Sequence, residues 1–161
     1  MDSDVKIREY GQGDPSKAVY FYFRIFEKQF NFIGAVEEYF IKNMAELWDD
    51  IDKNMLWIAE KDGEIVGTVM IVRKSDTTAQ LRYFAVDESV QGQQLGTELL
   101  KIAMGFCRDN GYKHVFLWTI DVCESAKHLY HKFGFRQTET KPNNRWARYP
   151  LVEERWDFSE T

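Results

Sequence analysis

Apolar and polar positions change period several times along this chain, and each change marks an element. Val5 to Arg8 alternates, as a strand with one buried face does, until Gly11, Gly13 and Pro15 interrupt it. Lys17 to about Phe30 is aromatic and reads as a helix, and Asn31 to Gly34 as a connector. Ala35 to about Ile51 reads as a second helix, with Val36, Phe40, Met44 and Leu47 at helical spacing. Met55 to Glu60 and Glu64 to Arg73 are apolar and β-branched. The Lys61-Asp62-Gly63 between them carries the Asp-Gly signal of a hairpin. Leu81 to Val86 is the next strand. Leu95, Leu99, Ile102, Ala103 and Phe106 then fall on one face of a helix that stops at Asn110-Gly111. Val115 to Ile120 is a short apolar strand. Ala126, Leu129, Tyr130 and Phe133 stripe a short helix ended by Gly134. Phe135 to Lys141 and Leu151 to Phe158 complete the list of strands.

The strand, helix, strand run from Leu81 to Ile120 predicts a right-handed crossover and parallel pairing of its two strands. The whole order is strand, two helices, three strands, helix, strand, helix, two strands. It predicts an α/β (α+β) fold, a sheet with helices on both faces.

Composition narrows the class. A chain of 161 residues predicts one domain, residues 1–161, and a net charge of −5 disfavours a nucleic-acid partner while suiting a cationic one. Two cysteines, Cys107 and Cys123, make no disulfide framework and point to a reducing compartment. The first residues, MDSDVKIREYGQGD, lack the apolar run of a signal peptide, and no window approaches a membrane span. A cytoplasmic protein with no membrane partner is expected.

Candidate chemistry begins at Gln91-Gly92-Gln93-Gln94-Leu95-Gly96, between a strand and a helix start. The first amides of a helix have no intrahelical acceptor, and the helix dipole adds positive potential there. Such a turn suits a phosphate or pyrophosphate. An ordinary glycine-containing connection explains the same residues. The turn is neither a P-loop nor a dinucleotide fingerprint, since no Gly-Lys-Ser/Thr follows and the glycines do not fall as G-x-G-x-x-G.

This segment resembles the GCN5-related N-acetyltransferase (GNAT) superfamily. The family's pyrophosphate motif runs Gln or Arg, two residues, Gly, one residue, then Gly or Ala. Gln91 fits the first place and Gly96 the last, Gly92 matches a glycine frequent after the leading residue, and Gln94 stands where the middle Gly is usual. Ala126-x-x-Leu129-Tyr130-x-x-x-Gly134-Phe135 is similar to the family's fourth-helix motif, with Cys123 where many members carry Asn. The resemblance covers roughly Met55 to Phe158. Asn144-Arg145-Trp146 and Glu153-Glu154-Arg155-Trp156 are further similar to GNAT domains fused to bacterial MarR-type regulators.

The resemblance implies a mixed, twisted sheet of six to seven strands, acetyl-CoA as co-substrate, no metal, a primary amine as acceptor, and a homodimer through C-terminal strands. It implies that strand Leu81 to Val86 splays from Val115 to Ile120 so that the pantetheine arm enters between them. Phe84, Ala85 and Val86 would meet that arm. Gln91, Gly92, Gln93, Gln94, Leu95, Gly96 and Thr97 would hold the pyrophosphate, with Ser125 and Tyr130 completing the cofactor site. The Val86 N–H would stabilise the oxyanion and Tyr130 would protonate the leaving thiolate. By spacing alone, Tyr130 reads first as a core-facing residue of its stripe, and the motif match is what favours the acid. The general base is not identified: Asp87, Glu88 and Glu60 lie near the right strands but read as surface charges. A non-catalytic acyl-CoA-binding or sensing module on the same fold, and an unrelated nucleotide-binding α/β domain, stand as alternatives.

Other features read as structural. His128 and His131, with Cys123 upstream, lack a convincing fourth metal ligand, since His114 stands apart. Trp48, Asp49, Asp50 and Asp52 read as a polar helix end. Phe21, Phe23, Phe26, Phe30 and Phe32 read as core, or as the aromatic wall of an acceptor pocket.

Overall fold

The computed structural model describes residues 4–92 and 94–160. Its strands are β1 (Lys6–Glu9), β2 (Met55–Lys61), β3 (Glu64–Arg73), β4 (Thr78–Val86), β5 (His114–Ile120), β6 (Arg136–Asn143) and β7 (Leu151–Ser159). Its helices are α1 (Asp14–Phe30), α2 (Glu37–Ala45), α3 (Leu95–Asp109) and α4 (Glu124–Lys132). The strands form one seven-stranded sheet in the order β1-β2-β3-β4-β5-β7-β6. Neighbours are antiparallel except β4 and β5, which run parallel across the α3 crossover, as the strand–helix–strand pattern predicts. The fold class read from the pattern is therefore borne out.

Two cores explain why β2 and β3 are apolar without interruption. Along β2, Leu56 and Ile58 join the core under α1 and α2, while Trp57 and Ala59 join the core under α3 and α4. Along β3, Met70 and Val72 face the first layer, Val69 and Ile71 the second. A strand buried on both faces loses its alternation. The four positions picked out in the second helix, Val36, Phe40, Met44 and Leu47, are all buried in the first of these cores.

Boundaries differ where turn chemistry outweighs periodicity. Helix α1 starts at Asp14 rather than Lys17, because Pro15 in the first helical turn opens the helix instead of blocking it. Asp14 is anchored by the Gly11 N–H at 2.6 Å and by the Arg8 guanidinium at 2.6 Å, which holds its carboxyl below the usual range. The α-helical part of the second helix is only Glu37–Ala45, flanked by 3₁₀ turns at Gly34–Val36 and Glu46–Trp48. Strand β4 begins at Thr78, three residues before its apolar run, because its pairing with His114 needs only backbone groups.

Pairing between β4 and β5 covers only Thr78↔His114, Ala79↔Val115 and Gln80↔Phe116. Just beyond, β4 carries a bulge: Met70 pairs with Arg82 and Thr68 with Ala85, so Val69 faces both Tyr83 and Phe84. Tyr83 takes the left-handed conformation, φ 57°, and its hydroxyl donates to the Phe40 carbonyl of α2. Bulges bend the strand that carries them. This one turns the end of β4 away from β5, while β5 continues to pair β7 as far as Ile120↔Glu153. The sheet thus opens at its centre, at the end where α3 and α4 begin.

Candidate active site

The opening between β4 and β5 is a cavity of about 520 Å³. One wall is the end of β4. The Asp87 N–H donates to the Val66 carbonyl at 2.8 Å, so residue 87 faces β3. Backbone groups alternate along a strand, so those of Val86 and Phe84 face the open edge. The Val86 carbonyl already accepts from Gln91 Nε2 at 3.1 Å on that side. The opposite wall is the start of α4, with Ser125 and Ala126, and α1 closes the top with Ile25, Phe26 and Phe30.

The floor is the turn into α3. Gln91, Gly92 and Gln94 line the cavity, followed by Leu95, Gly96 and Thr97 of the first helical turn. Among the described residues no side chain caps this helix. The Glu98 N–H reaches the Gln94 carbonyl at 3.1 Å, and the amides ahead of it have no acceptor within the helix. The positive end of the helix dipole thus lies at the cavity these residues line, a setting for an anion.

The reason for glycine differs between positions. Gly92 has φ 81° with open space around it, so its backbone conformation is what calls for glycine. Gly96 is buried in the first turn of α3, where a Cβ would stand 2.9 Å from Leu129 and 3.3 Å from Phe84. The space a side chain would need there is taken by Leu129 of α4 and Phe84 of β4, so close packing is what calls for glycine. Gln94 adopts φ 68°, a left-handed conformation that glycine takes at no steric cost. The departure from the motif thus keeps the backbone path. Gln94→Gly relieves about 1–2 kcal/mol of left-handed strain and loses part of that to a more flexible unfolded chain. A net gain of roughly 0.5–1 kcal/mol is expected, read as a rise of a few degrees in Tm.

Behind Phe84 lies a smaller cavity of about 60 Å³. Phe26, Phe84, Cys123 and Ala126 line both spaces, so the two lie side by side there. Tyr130 lines the second cavity, not the first. It is 4 % exposed, its ring lies 5.7 Å from that of Phe84, and burial drives its pKa far above the usual tyrosine value. Among the described residues none hydrogen-bonds its hydroxyl. Cys123 lines both spaces, its thiol pushed up to about 12 by burial.

Of the residues singled out in the sequence, Phe84, Ala85, Val86, Gln91, Gly92, Gln94, Leu95, Gly96, Thr97 and Ser125 therefore surround one space, and Tyr130 stands just behind it. Gln93 lies outside the described residues. The acids considered as bases line neither cavity. Glu60 pairs with Arg8 at 3.0 Å, Asp87 accepts from the Ser89 N–H at 3.0 Å, and Glu88 is exposed. His114 is held by Asp157 at 2.6 Å and Ser159 at 3.1 Å. Sequence reading passed over Glu153, a carboxylate that lines the second cavity. Its signal was weak, since the same strand also carries Glu154, Arg155 and Asp157.

A model of the acetyltransferase (GNAT) family matches residues 19–135. Human N-acetyltransferase 8B is 35% identical over 97 residues, 57% of this chain and 43% of that protein. The probable N-acetyltransferase camello of Xenopus tropicalis is 28% identical over 119 residues, covering 68% and 52% of the two chains. The chain spans about half the length of the curated relatives it matches. Among solved structures, a GNAT-family acetyltransferase of Staphylococcus aureus Mu50 superposes with a TM-score of 0.79 at 21% identity, over 98% of this chain and 99% of the other. A GNAT-family acetyltransferase of Elizabethkingia anophelis, solved with acetyl-CoA bound, gives 0.65 at 18% identity over 98% and 99%.

Proposed function

The chain belongs to the GNAT acetyltransferase family, and from that premise we propose that it transfers an acetyl group from acetyl-CoA to a primary amine by direct attack. One observation carries the reading: β4 and β5 pair at three positions and then part, and the uncapped start of α3 opens into the same gap. The diphosphate of CoA sits on the amides of the turn into α3, Gln91 to Thr97, and the pantetheine arm lies along the free edge of β4. There it takes the backbone hydrogen bonds that β5 no longer makes. A neighbour of the same fold holding acetyl-CoA supports this choice of ligand.

The thioester carbonyl then lies at the Val86 N–H, which stabilises the oxyanion as the amine adds. Tyr130, behind Phe84, donates its proton to the departing sulfur. Burial raises the phenol, but it raises a thiolate in the same place too, as the Cys123 thiol at about 12 illustrates. The phenol therefore remains a usable donor to a sulfur that is itself desolvated. A homodimer would use β6, an edge strand exposed over most of its length. No described helix is long and apolar enough to cross a membrane, and a cytoplasmic setting is kept as part of the proposal. The likeness to regulator-fused domains carries no part of it.

Two linked measurements test the reading. Acetyl-CoA at 100 times its Kd is expected to add about 2.7 kcal/mol of stability. Supplying primary amines is expected to release free CoA thiol, with an N-acetyl product seen by mass spectrometry. Stabilisation without thiol release across an amine library identifies a sensor instead of an enzyme.

A further inference from the structure

We propose that the cavity behind Phe84 is a receptor for the end of an unbranched primary alkylammonium, with the Glu153 carboxylate as its charge partner and first proton acceptor. The inference rests on the acetyl-transfer reading and names its acceptor class.

Glu153 is the one carboxylate among the described residues lining this cavity, and it is 8 % exposed. Asn143 Nδ2 donates to its Oε2 at 3.1 Å, and no described residue hydrogen-bonds Oε1. The register sets Glu153 between Ile120 on β5 and Lys141 on β6. The remaining wall is mostly aromatic, including Phe32, Tyr39, Trp118 and Trp146. A buried carboxylate with a free oxygen calls for a cation, and aromatic faces attract one. One ammonium already uses this wall: Lys141 Nζ rests 4.4 Å from the centre of the Trp118 ring. It makes no ion pair with Glu153 among the described residues, so the carboxylate's charge is left for a ligand.

Volume sets the shape of that ligand. About 60 Å³ is the space of about two water molecules, enough for an aminomethyl end but not for a branched carbon beside the nitrogen. An α-amino acid is excluded twice, by its branch and by its carboxylate beside Glu153. An ω-amine of a linear chain fits on both counts. Because this cavity lies beside the larger one at Phe84, the nitrogen lies next to the thioester and Tyr130.

The step balances as follows. Glu153 takes one proton from the ammonium. The freed lone pair forms the C–N bond and the carbonyl becomes an oxyanion. Collapse breaks the C–S bond, Tyr130 protonates the sulfur, and the proton still carried in excess by nitrogen restores the phenol. Glu153 then gives its proton to water, so one proton is released per amide formed.

The test is a titration of tryptophan emission with n-butylamine, tert-butylamine and 1-butanol, with and without CoA, followed by kcat/KM with acetyl-CoA. n-Butylamine is expected to saturate about tenfold more tightly than tert-butylamine, with 1-butanol showing no saturation. Glu153→Gln, which keeps the side chain's size, is expected to weaken n-butylamine and its kcat/KM by about 30-fold or more. It should leave the acetyl-CoA melting shift intact. Cadaverine and Nα-acetyl-lysine methylamide share the unbranched head, and the better of the two tells a free diamine from a protein side chain. Equal binding of the two butylamines by the wild type, which needs no variant, overturns the inference. So does an E153Q protein with undiminished n-butylamine affinity. Loss of the CoA shift in the wild type strikes the acetyl-transfer reading instead, because the amine titration without CoA stands apart from it.

Discussion

Tyr130→Phe lowers kcat by about 10²–10⁴-fold, the range of a positioned general acid, and leaves KM for acetyl-CoA nearly unchanged. The argument is one of place. The fourth helix sets the ring against Phe84, Phe135 and Trp156 at 5.7, 6.0 and 6.4 Å. Tyr130 lines the smaller cavity behind Phe84, and its hydroxyl is bonded to none of the described residues. Removing one oxygen keeps all three ring contacts, so folding changes little and the loss falls on turnover. A fall confined to kcat marks an interaction made only in the transition state. Rapid mixing with a thiol reagent measures it, and a Tyr130→Phe protein with wild-type turnover removes the phenol from the chemistry.

Phe135→Ala is expected to destabilise the fold by about 3–5 kcal/mol, the range for truncating a fully buried Phe. For a domain of this length that is roughly 6–20 °C in Tm. Phe135 is completely buried just before β6, with its ring 5.7 Å from Phe158 and 6.0 Å from Tyr130. The hole it leaves is next to the proposed acid. A second effect is therefore expected well below the new Tm: kcat falls because Tyr130 loses a supporting wall, while acetyl-CoA still binds at the distant turn of α3. Calorimetry gives the first number and steady-state kinetics the second. A Tm within 2 °C of wild type contradicts the packing described here.

Much of this layout was legible in the sequence because the informative residues are local. Asp62-Gly63 fixed a hairpin, the Leu95–Phe106 stripe fixed the crossover helix, and Gly134 ended α4. Gln91, Gly92 and Gly96 marked the turn because a helix start and its glycines lie within six positions. The bulge at Tyr83 was not legible: a left-handed tyrosine inside an apolar strand has no local signature, and it arises from the side chain reaching Phe40 across the fold. Glu153 was missed for a similar reason. Its setting is assembled from α1, α2, β5, α4 and the Trp146 loop, which are brought together only by folding. Gly96 was found by motif, while the packing that keeps it a glycine, against Leu129 and Phe84, is set by the tertiary fold.

The central claim is that the gap between β4 and β5 is a berth for coenzyme A. A crystal structure of the protein with CoA tests it directly. The account predicts diphosphate oxygens about 3 Å from the amides of the turn into α3, and pantetheine amides paired with Phe84 and Val86. CoA bound elsewhere, or β5 paired with β4 along its full length in the complex, would contradict it.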